Sequence, residues 1–335
     1  MEPRAERPSA TEAPDPVVDL ATQRAEARAG RDFETADRLR AEIEAAGWKV
    51  VDVGTDFRLE PTHPPDHDDG ARRRYGASAS VPSRLAEAAT FPATVLLLAT
   101  DWPADLARAL TGLRDHVTAS SQVIVVADDP SDEQTAALDA IEAEPSVENA
   151  PVAAPELVWT SARLGTAAAI DIGARMALGS VVVVLDTSVE PTGDVVTPLV
   201  DALADPDVAV AGGWGIVSSD LRTFQDAPPG NVDAIEGYCI AFRRDDFASR
   251  GPLDERFRYY RNLDIWWSLV LRDEGEDEPP RRAVALADLP AARHEHRGYT
   301  SLTPDERDRQ SKRNFYRIID RFGSRRDLLV VNAGR

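Results

Sequence analysis

Three short apolar runs, separated by stretches with helical spacing, constrain the fold of this chain more than any other feature. The runs are Thr94–Thr100, Val123–Ala127 and Val181–Leu185. Each has the length of a buried strand and is too short for a buried helix. Strands that are apolar on both faces and alternate with helices are typical of a parallel sheet covered on both sides. The sequence therefore predicts an α/β fold with a mostly parallel sheet over residues 89–325.

The stretches between these runs place apolar residues at helical intervals, and leucines share one face of a helix predicted over Pro103–Val117. The pattern Thr303–Glu306 is a capping box, which predicts a helix over roughly residues 304–321. Further predicted helices and strands follow in order along the chain: Ser131–Ile141, Glu156–Thr160 (strand), Arg163–Leu178, Gly193–Leu203 and Val208–Ala211 (strand).

The amino-terminal part of the chain has a different pattern. Two helices separated by Gly30 and followed by short strands are predicted over residues 16–61, as a small helical hairpin. Residues 62–88 are rich in Pro, Gly, Ser and charge, which is typical of a linker. We expect residues 1–15 to form a disordered tail and residues 326–335 a C-terminal tail.

Composition excludes several classes of function. The formal net charge is −20 over 335 residues, which argues against nucleic acid as a partner because phosphate binding needs clustered cations. Cys239 is the single cysteine, so the chain has no internal disulfide framework. No apolar run approaches the ~20 residues that cross a bilayer, and the N-terminus has no apolar signal segment. We expect a cytoplasmic protein and leave open peripheral contact with the inner face of the membrane.

Acidic and hydroxyl side chains follow each of the three strongest strands. They lie in the segments Thr100–Asp101, Asp128–Asp129 and Asp186–Ser188. Ligands of open parallel sheets bind beyond the carboxyl ends of the strands, so these segments are candidate ligand contacts. No glycine-rich dinucleotide or P-loop motif is present. Carboxylates at strand ends suit recognition of sugar hydroxyls and binding of a metal ion.

The ordered motifs resemble those of family 2 glycosyltransferases over about 235 residues of the chain, in the family's order. They are VLLLATDW, VIVVADDPSD, RLGTAAAIDIGARMALG (with Asp171 where Asn is usual), VVVVLDTSVEP, EGYCIAFRRDDF, GPLDERFRYYRNLDIWWSLVLRDEG and RHEHRGYTSL. The resemblance implies a GT-A fold, a nucleotide-sugar donor and a hydroxyl acceptor such as a glycan or lipid-linked glycan. It also implies a role in cell-envelope polysaccharide or glycolipid synthesis.

The segment Ala27–Pro61 resembles the C-terminal appendage of cysteinyl-tRNA synthetases. The rest of such a synthetase is absent from the chain, so the resemblance implies no aminoacylation. A docking hairpin is the favoured interpretation, and contact with tRNA is the alternative.

The resemblance implies a bound Mg²⁺ or Mn²⁺ that neutralises the donor diphosphate. Asp186 is the candidate ligand, although Ser188 stands where the family has a second acid. Two histidines, His294 and His296, follow the last apolar stretch, and His294 falls where the family usually has its metal-binding His. The alternatives are that Asp186 caps its strand and that the histidines only hydrogen-bond a loop.

The resemblance also implies residues that bind the nucleotide sugar. Thr100, Asp101 and Asp128–Asp129 are candidates for the base and ribose, and Ser188 for the donor beside Asp186. Arg163 and Gly165 lie at the predicted start of a helix, where N–H groups and a cation suit a diphosphate. The alternative for each is an ordinary polar residue of a loop.

A carboxylate base near the acceptor hydroxyl is what an inverting transfer requires. Asp264 is the first candidate and Glu236 the second, and Asn262 stands where the family has an acid. Gly237, Tyr238 and Tyr260 are the candidate acceptor contacts. The incomplete motifs leave a second hypothesis open, in which the domain is a degenerate GT-A module that binds a nucleotide or a partner without catalysis.

Overall fold

The structure is a computed structural model that describes residues 13–54, 56–70, 72–144 and 150–330. It divides into two compact units, Met1–Ala77 and Ser78–Arg335. Most of the predicted N-terminal tail lies outside the described residues. Within the described ranges, no helix is both long and apolar enough to cross a lipid bilayer.

The first unit is built on a pair of helices and a β-hairpin. Its core joins Val17 and Ala21 of the first helix, Ile43 of the second, and Trp48 and Val50 of the first strand. The two helices confirm the small N-terminal helical hairpin that the sequence predicted. The elements are α1 (Asp15–Ala29), α2 (Phe33–Ala45), β1 (Trp48–Val53), β2 (Asp56–Pro61), β3 (His67–Asp68) and β4 (Arg73–Tyr75).

The segment predicted to be a linker, residues 62–88, contains regular structure. Strands β3 and β4 pair in antiparallel fashion, and Asp66 accepts a hydrogen bond from the N–H of Gly76 at 2.7 Å. A 3-10 turn follows over Ser78–Ser80, and Val81 is buried. The sequence did not predict these elements because carboxylate side chains, rather than a periodic pattern of apolar residues, stabilise them.

The second unit is a mixed α/β domain. Its strands alternate with helices along the chain as the apolar runs predicted. The elements are β5 (Phe91–Ala99), α3 (Pro103–His116), β6 (Ser121–Ala127), α4 (Asp132–Ala143), β7 (Glu156–Thr160), α5 (Thr166–Met176), β8 (Gly179–Leu185), β9 (Val189–Pro191), α6 (Val196–Leu203), β10 (Val208–Gly212), β11 (Gly215–Ser218), β12 (Phe224–Ala227), β13 (Gly230–Val232), β14 (Ala234–Ile235), β15 (Cys239–Arg243), α7 (Arg244–Arg250), α8 (Leu263–Arg272), β16 (Arg282–Ala285), β17 (Ala291–Arg293), α9 (Arg297–Thr300), α10 (Pro304–Phe322) and a 3-10 turn (Arg326–Leu328).

The main sheet of this unit has the strand order β13-β16-β10-β15-β8-β5-β6-β7. The neighbours β8, β5, β6 and β7 are parallel, and β10 is parallel to β16. β15 is antiparallel to both β8 and β10. Two smaller sheets, β12-β11-β14 and β17-β9, complete the unit. The sheet is therefore mostly parallel, as the sequence predicted.

Apolar side chains from both faces of the central strands form the core. Leu97, Val125 and Val183 lie in adjacent strands and pack in one cluster with Leu106 and Leu113 of α3. All five side chains are essentially inaccessible to solvent. Burial of this kind, on both sides of the strands, explains why they read as uninterrupted apolar runs.

The predicted C-terminal tail is ordered as far as residue 330. Residues Leu328 and Leu329 are fully buried after the last 3-10 turn. The N–H of Val330 donates to the buried carboxylate of Asp233 at 2.6 Å. The two leucines and this hydrogen bond fix the segment, and residues 331–335 lie outside the described part of the chain.

Asp171 is a fully buried acid in the middle of α5. Its Oδ1 accepts a hydrogen bond from the N–H of Leu253 at 2.8 Å, and its Oδ2 has no partner among the described residues. Burial raises the pKa of Asp171 to about 8. The carboxyl is therefore protonated in the folded protein at neutral pH.

We predict that Asp171→Asn raises the melting temperature, and that the gain is larger at about pH 8 than at about pH 5. The unfolded chain loses this proton near pH 3.8, whereas the folded chain keeps it to about pH 8, so rising pH favours unfolding. Asparagine keeps the shape and removes the titration. Thermal unfolding across this pH range measures the effect, with the exposed Asp201→Asn as control. Parallel pH profiles for wild type and Asp171→Asn would contradict the prediction.

Candidate active site

The carboxyl ends of three parallel strands meet at one edge of the main sheet. β5 is parallel to β6 and β8, with Ala99 opposite Ala127 and Leu96 opposite Val184. The residues that follow these strands therefore lie along the same edge. The three acidic segments identified in the sequence come together there.

Asp186 follows β8 and is oriented by its own turn. Its Oδ1 accepts hydrogen bonds from the N–H of Ser188, at 2.8 Å, and from the Ser188 hydroxyl. Its Oδ2 lies 3.3 Å from Nε2 of His296. Burial acts to raise the pKa of Asp186, but hydrogen bonds from His296 and Ser188 outweigh burial and lower the pKa. Asp186 is thus an ionised carboxylate with one oxygen facing an imidazole.

His296 is held by helix α9 and by aromatic rings. It caps α9, and its Nδ1 accepts a hydrogen bond from the N–H of Tyr299 at 3.1 Å. Tyr260 stacks on the imidazole with ring centroids 4.4 Å apart, and Tyr238 meets its edge at 6.2 Å. Because Nδ1 accepts, the neutral ring carries its proton on Nε2 and donates it to Asp186. Burial acts to lower the pKa of His296, but Asp186 outweighs burial and raises it.

The structure corrects the choice of His294 as the partner of Asp186. Nε2 of His294 lies 2.7 Å from a carboxylate oxygen of Glu190, and the two side chains are 39% and 37% exposed. The N–H of His294 donates to the carbonyl of Ser188 at 2.8 Å, which extends the β9–β17 pairing. The chain leaves this ladder only after His294, so the histidine that reaches Asp186 comes two residues later. The sequence offers no spacing rule that separates the two.

A cavity of about 710 Å³ opens beside Asp186. Its lining includes seven candidate site residues that the sequence analysis named: Asp186, Glu236, Gly237, Tyr238, Tyr260, Asp264 and His296. The other predicted site residues do not line it: Thr100, Asp101, Asp128, Asp129, Arg163, Gly165, Ser188 and His294. The structure therefore places Asp186 with the base and acceptor candidates in one cavity, whereas His294 and the remaining nucleotide candidates lie outside its lining.

Glu236 enters this cavity from the segment between β14 and β15. Its Oε2 lies 3.4 Å from the guanidinium of Arg293, which stacks over the rings of Trp214 and Tyr238 at 4.9 Å each. Its other carboxylate oxygen makes no hydrogen bond to the described residues. Burial raises the pKa of Glu236, and Arg293 partly opposes this. Sequence reasoning missed Arg293 because this arginine, in the short strand β17, is 57 residues away from Glu236 along the chain.

Asp264 lines the cavity and also fixes the start of α8. Its Oδ2 accepts the N–H of Gly237 and its Oδ1 the N–H of Ile265, both at 2.9 Å. Burial raises the pKa of Asp264, and these hydrogen bonds oppose the rise. Asn262 has a φ of +68° and donates from Nδ2 to the carbonyl of Ser311 at 3.1 Å. The side chains of Asp264 and Asn262 thus both form hydrogen bonds with backbone groups.

Arg163 joins two of the predicted nucleotide contacts. Its guanidinium lies 3.4 Å from a carboxylate oxygen of Asp101 and donates to the backbone carbonyl of Asp129 at 2.7 Å. The side chains of Arg163 and Asp101 are 46% and 33% exposed. Thr100 accepts the N–H of Ser131 through its carbonyl at 2.8 Å. The guanidinium of Arg163 and the carboxylate of Asp101 are therefore accessible to a ligand at this edge of the sheet.

The structure corrects the roles predicted for Asp128 and Gly165. Asp128 is buried, and its carboxylate accepts the N–H groups of Leu164 at 2.7 Å and Gly165 at 3.0 Å. Gly165 has a φ of +101°, and an added Cβ would lie 2.7 Å from Cα of Arg258, so the position requires glycine. The N–H groups expected to bind a diphosphate are already occupied by Asp128, and the pair stabilises the loop before α5.

Comparison with curated proteins finds a match to a short segment of the chain. The chain is 48% identical over 50 residues to a cysteine–tRNA ligase of Opitutus terrae. The match covers 15% of this chain and 11% of the ligase, so the chain spans a small part of that relative.

Solved structures of glycosyltransferases resemble the fold. The mannosyltransferase PcManGT of Pyrobaculum calidifontis, in complex with GDP-Man and Mn²⁺, is 21% identical with a TM-score of 0.47, over 67% of this chain and 64% of that chain. GalNAc-T7, with UDP, GalNAc and Mn²⁺, is 15% identical with a TM-score of 0.50, over 69% of this chain and 48% of that chain. The chain spans less than two thirds of the length of either protein.

A family model covers the strand-end segments and part of the cavity lining. Residues 99–261 match the model described as Glycosyl transferase family 2. The match includes the strand-end segments and Asp186, and it ends just before α8. Residues 99–261 are therefore a glycosyl transferase family 2 domain, on the GT-A fold that the sequence predicted.

Proposed function

We propose that the second unit transfers a sugar from a nucleotide-sugar donor to a hydroxyl acceptor. The observation that carries the proposal is the contact between Asp186 and His296 at the end of β8, in a cavity that also holds Glu236 and Asp264. A family 2 domain with such a cavity has the groups that sugar transfer requires: a site for a metal ion, a carboxylate base and an adjacent polar edge for the nucleotide.

The donor set fits Mg²⁺ or Mn²⁺. Asp186 supplies a carboxylate oxygen and His296 an imidazole nitrogen 3.3 Å away, and both are ligands of such ions. In the described residues no group of three His, Cys, Asp or Glu converges, so donor phosphates and water would complete the shell. Ligation through Nε2 would require the tautomer of His296 with its proton on Nδ1, so the hydrogen bond that Nδ1 accepts from the N–H of Tyr299 would be lost. When bound, the ion neutralises the charge of the departing diphosphate.

The edge formed by Thr100, Asp101, Asp129 and Arg163 is our proposed nucleotide subsite. The exposed guanidinium of Arg163 joins the ends of β5 and β6. Carboxylate and hydroxyl oxygens there suit the hydroxyls of a ribose, and the cation suits phosphate oxygens. Ser188 supports the donor indirectly, since its hydroxyl orients Asp186.

Glu236 is the better placed of the two base candidates. One of its oxygens is paired with Arg293, whereas both oxygens of Asp264 accept backbone N–H groups. Glu236 would take the proton of the acceptor hydroxyl, and Asp264 would position Gly237 and α8. Tyr238 and Tyr260 flank His296 and are our proposed acceptor contacts.

A degenerate module that binds nucleotide without catalysis is the second candidate. Ser188 in place of the second acid and Asn262 in place of the usual acid favour it. The cell-envelope role implied by the sequence resemblance remains part of the proposal for an active enzyme.

We predict that Mn²⁺ strengthens the binding of UDP or GDP to the wild-type protein, measured by isothermal titration calorimetry. Asp186→Ala and His296→Ala should each weaken the Mn²⁺-dependent affinity by at least about tenfold, because each removes a ligand. His294→Ala is the matched control, since it removes a neighbouring histidine that pairs with Glu190. It should keep wild-type affinity.

The same protein should hydrolyse or transfer one member of a panel of UDP-, GDP- and dTDP-sugars. Binding that EDTA leaves unchanged, or a loss confined to His294→Ala, would refute the metal site. Metal-dependent binding with no turnover on any donor would favour the degenerate module.

The proposed base also implies a pH dependence of the transfer. If Glu236 is the base, kcat/KM falls as the pH drops through its raised pKa, because the protonated form accepts no proton. Glu236→Gln should lower kcat by about 10²–10⁴-fold and abolish this acid limb. Glu190→Gln removes a carboxylate outside the cavity lining and should keep the limb. An acid limb that persists in Glu236→Gln and vanishes in Asp264→Asn would instead assign the base to Asp264.

A further inference from the structure

The cavity beside Asp186 has an acidic end and a cationic rim. Three basic side chains line it from three separate elements: Arg222 precedes β12, Arg261 precedes α8, and Lys312 lies on α10. All three residues are exposed. Within the described part of the chain, no ion pair joins any of them to a carboxylate.

Carboxylates outnumber cations in this chain, with 58 Asp and Glu against 38 Lys and Arg. The formal net charge is −20, and many arginines of the second unit form ion pairs, such as Arg243 with Asp246 and Arg325 with Asp273. Three exposed cations that make no ion pair with the described residues, gathered around one cavity of so acidic a chain, indicate that an anionic ligand supplies a counter-ion.

The ring of Tyr299 gives a second indication. Arg261 lies over this ring at 5.6 Å from the centroid, and Arg307 lies over it at 4.3 Å. Two like charges gathered on one aromatic ring repel each other, and an anion bound beside them would relieve the repulsion. Tyr299 itself lines the cavity.

Arg222 and Lys312 lie on or beside elements other than the strand that carries Asp186, whereas Arg261 follows Tyr260, which stacks on His296. β12 pairs with β11, which pairs with β14, and α10 packs on α8. β8, which carries Asp186, lies between β5 and β15. Arg222 and Lys312 therefore belong to the wall of the cavity that is formed by elements other than the metal-bearing strand.

We propose that the acceptor carries an oxyanion, of the phosphate class, bound at this rim by Arg222, Lys312 and Arg261. The proposal rests on the glycosyltransferase function and names the class of its acceptor. A guanidinium matches the oxygens of a phosphate in a forked geometry, and an ammonium adds a point charge. The apolar floor of the cavity, with Ile240, Phe242 and other buried side chains, accommodates the body of the acceptor.

Paired probes that differ only in the phosphate test this proposal. Calorimetry with Mn²⁺ and the better-binding nucleotide compares glucose 6-phosphate with glucose, and farnesyl phosphate with farnesol. We expect the phosphate member of at least one pair to bind more tightly by about tenfold or more. Preference in the sugar pair alone identifies a soluble acceptor, and preference in the farnesyl pair alone identifies a lipid-linked one.

The double variant Arg222→Ala/Lys312→Ala should lose the phosphate preference and keep its affinity for nucleotide with Mn²⁺. Arg313→Ala is the matched control, because it removes an exposed cation of α10 that does not line the cavity. It should keep the preference. A melting temperature within a few degrees of wild type confirms that the double variant folds, and Arg222→Gln/Lys312→Gln replaces it if this fails.

Equal binding of phosphorylated and neutral probes by the wild type would overturn the proposal. So would a double variant that keeps the preference, or one whose nucleotide affinity falls with it, since the cations would then serve the donor. Nucleotide binding with Mn²⁺ but no phosphate preference refutes this inference alone. Absence of nucleotide binding in the wild type refutes the proposed function.

Discussion

Parallel pairing of β5 with β6 and β8 is the constraint on which the rest of the site depends. Because the three strands run in one direction and in register, the residues after Ala99, Ala127 and Leu185 lie at one edge of the sheet. The strands can pair this way only because both of their faces are apolar and covered. The packing of the core thus determines where Asp186 can be, before any ligand is considered.

The sequence predicted the parts of the fold that are encoded locally. Runs of apolar residues predicted the central strands. Asp186 was a candidate ligand contact because ligands of such sheets bind beyond the strand ends. The choice between His294 and His296 could not be made this way, since it depends on where the β9–β17 ladder ends. The same holds for Arg293, which pairs with Glu236 from 57 residues away along the chain, and the sequence shows no periodicity for so short a strand as β17.

Carboxylates in this acidic chain differ in role according to their surroundings. Asp128 is buried against backbone N–H groups and stabilises a loop, although its position after β6 predicted a ligand contact. Asp171 is buried with one oxygen unpartnered among the described residues and keeps its proton. Asp186 remains ionised because His296 and Ser188 donate to it. Burial and hydrogen bonding, which the sequence does not display, distinguish Asp128 and Asp171 from Asp186.

The most direct measurement of the central claim is the electron spin echo envelope modulation of Mn²⁺ bound with nucleotide to protein labelled with ¹⁵N-histidine. If one ion lies between Asp186 and His296, the spectrum contains a coupling to a histidine nitrogen in the wild type and in His294→Gln, and none in His296→Gln. A coupling that survives in His296→Gln, or no histidine coupling in the wild type, would contradict the claim.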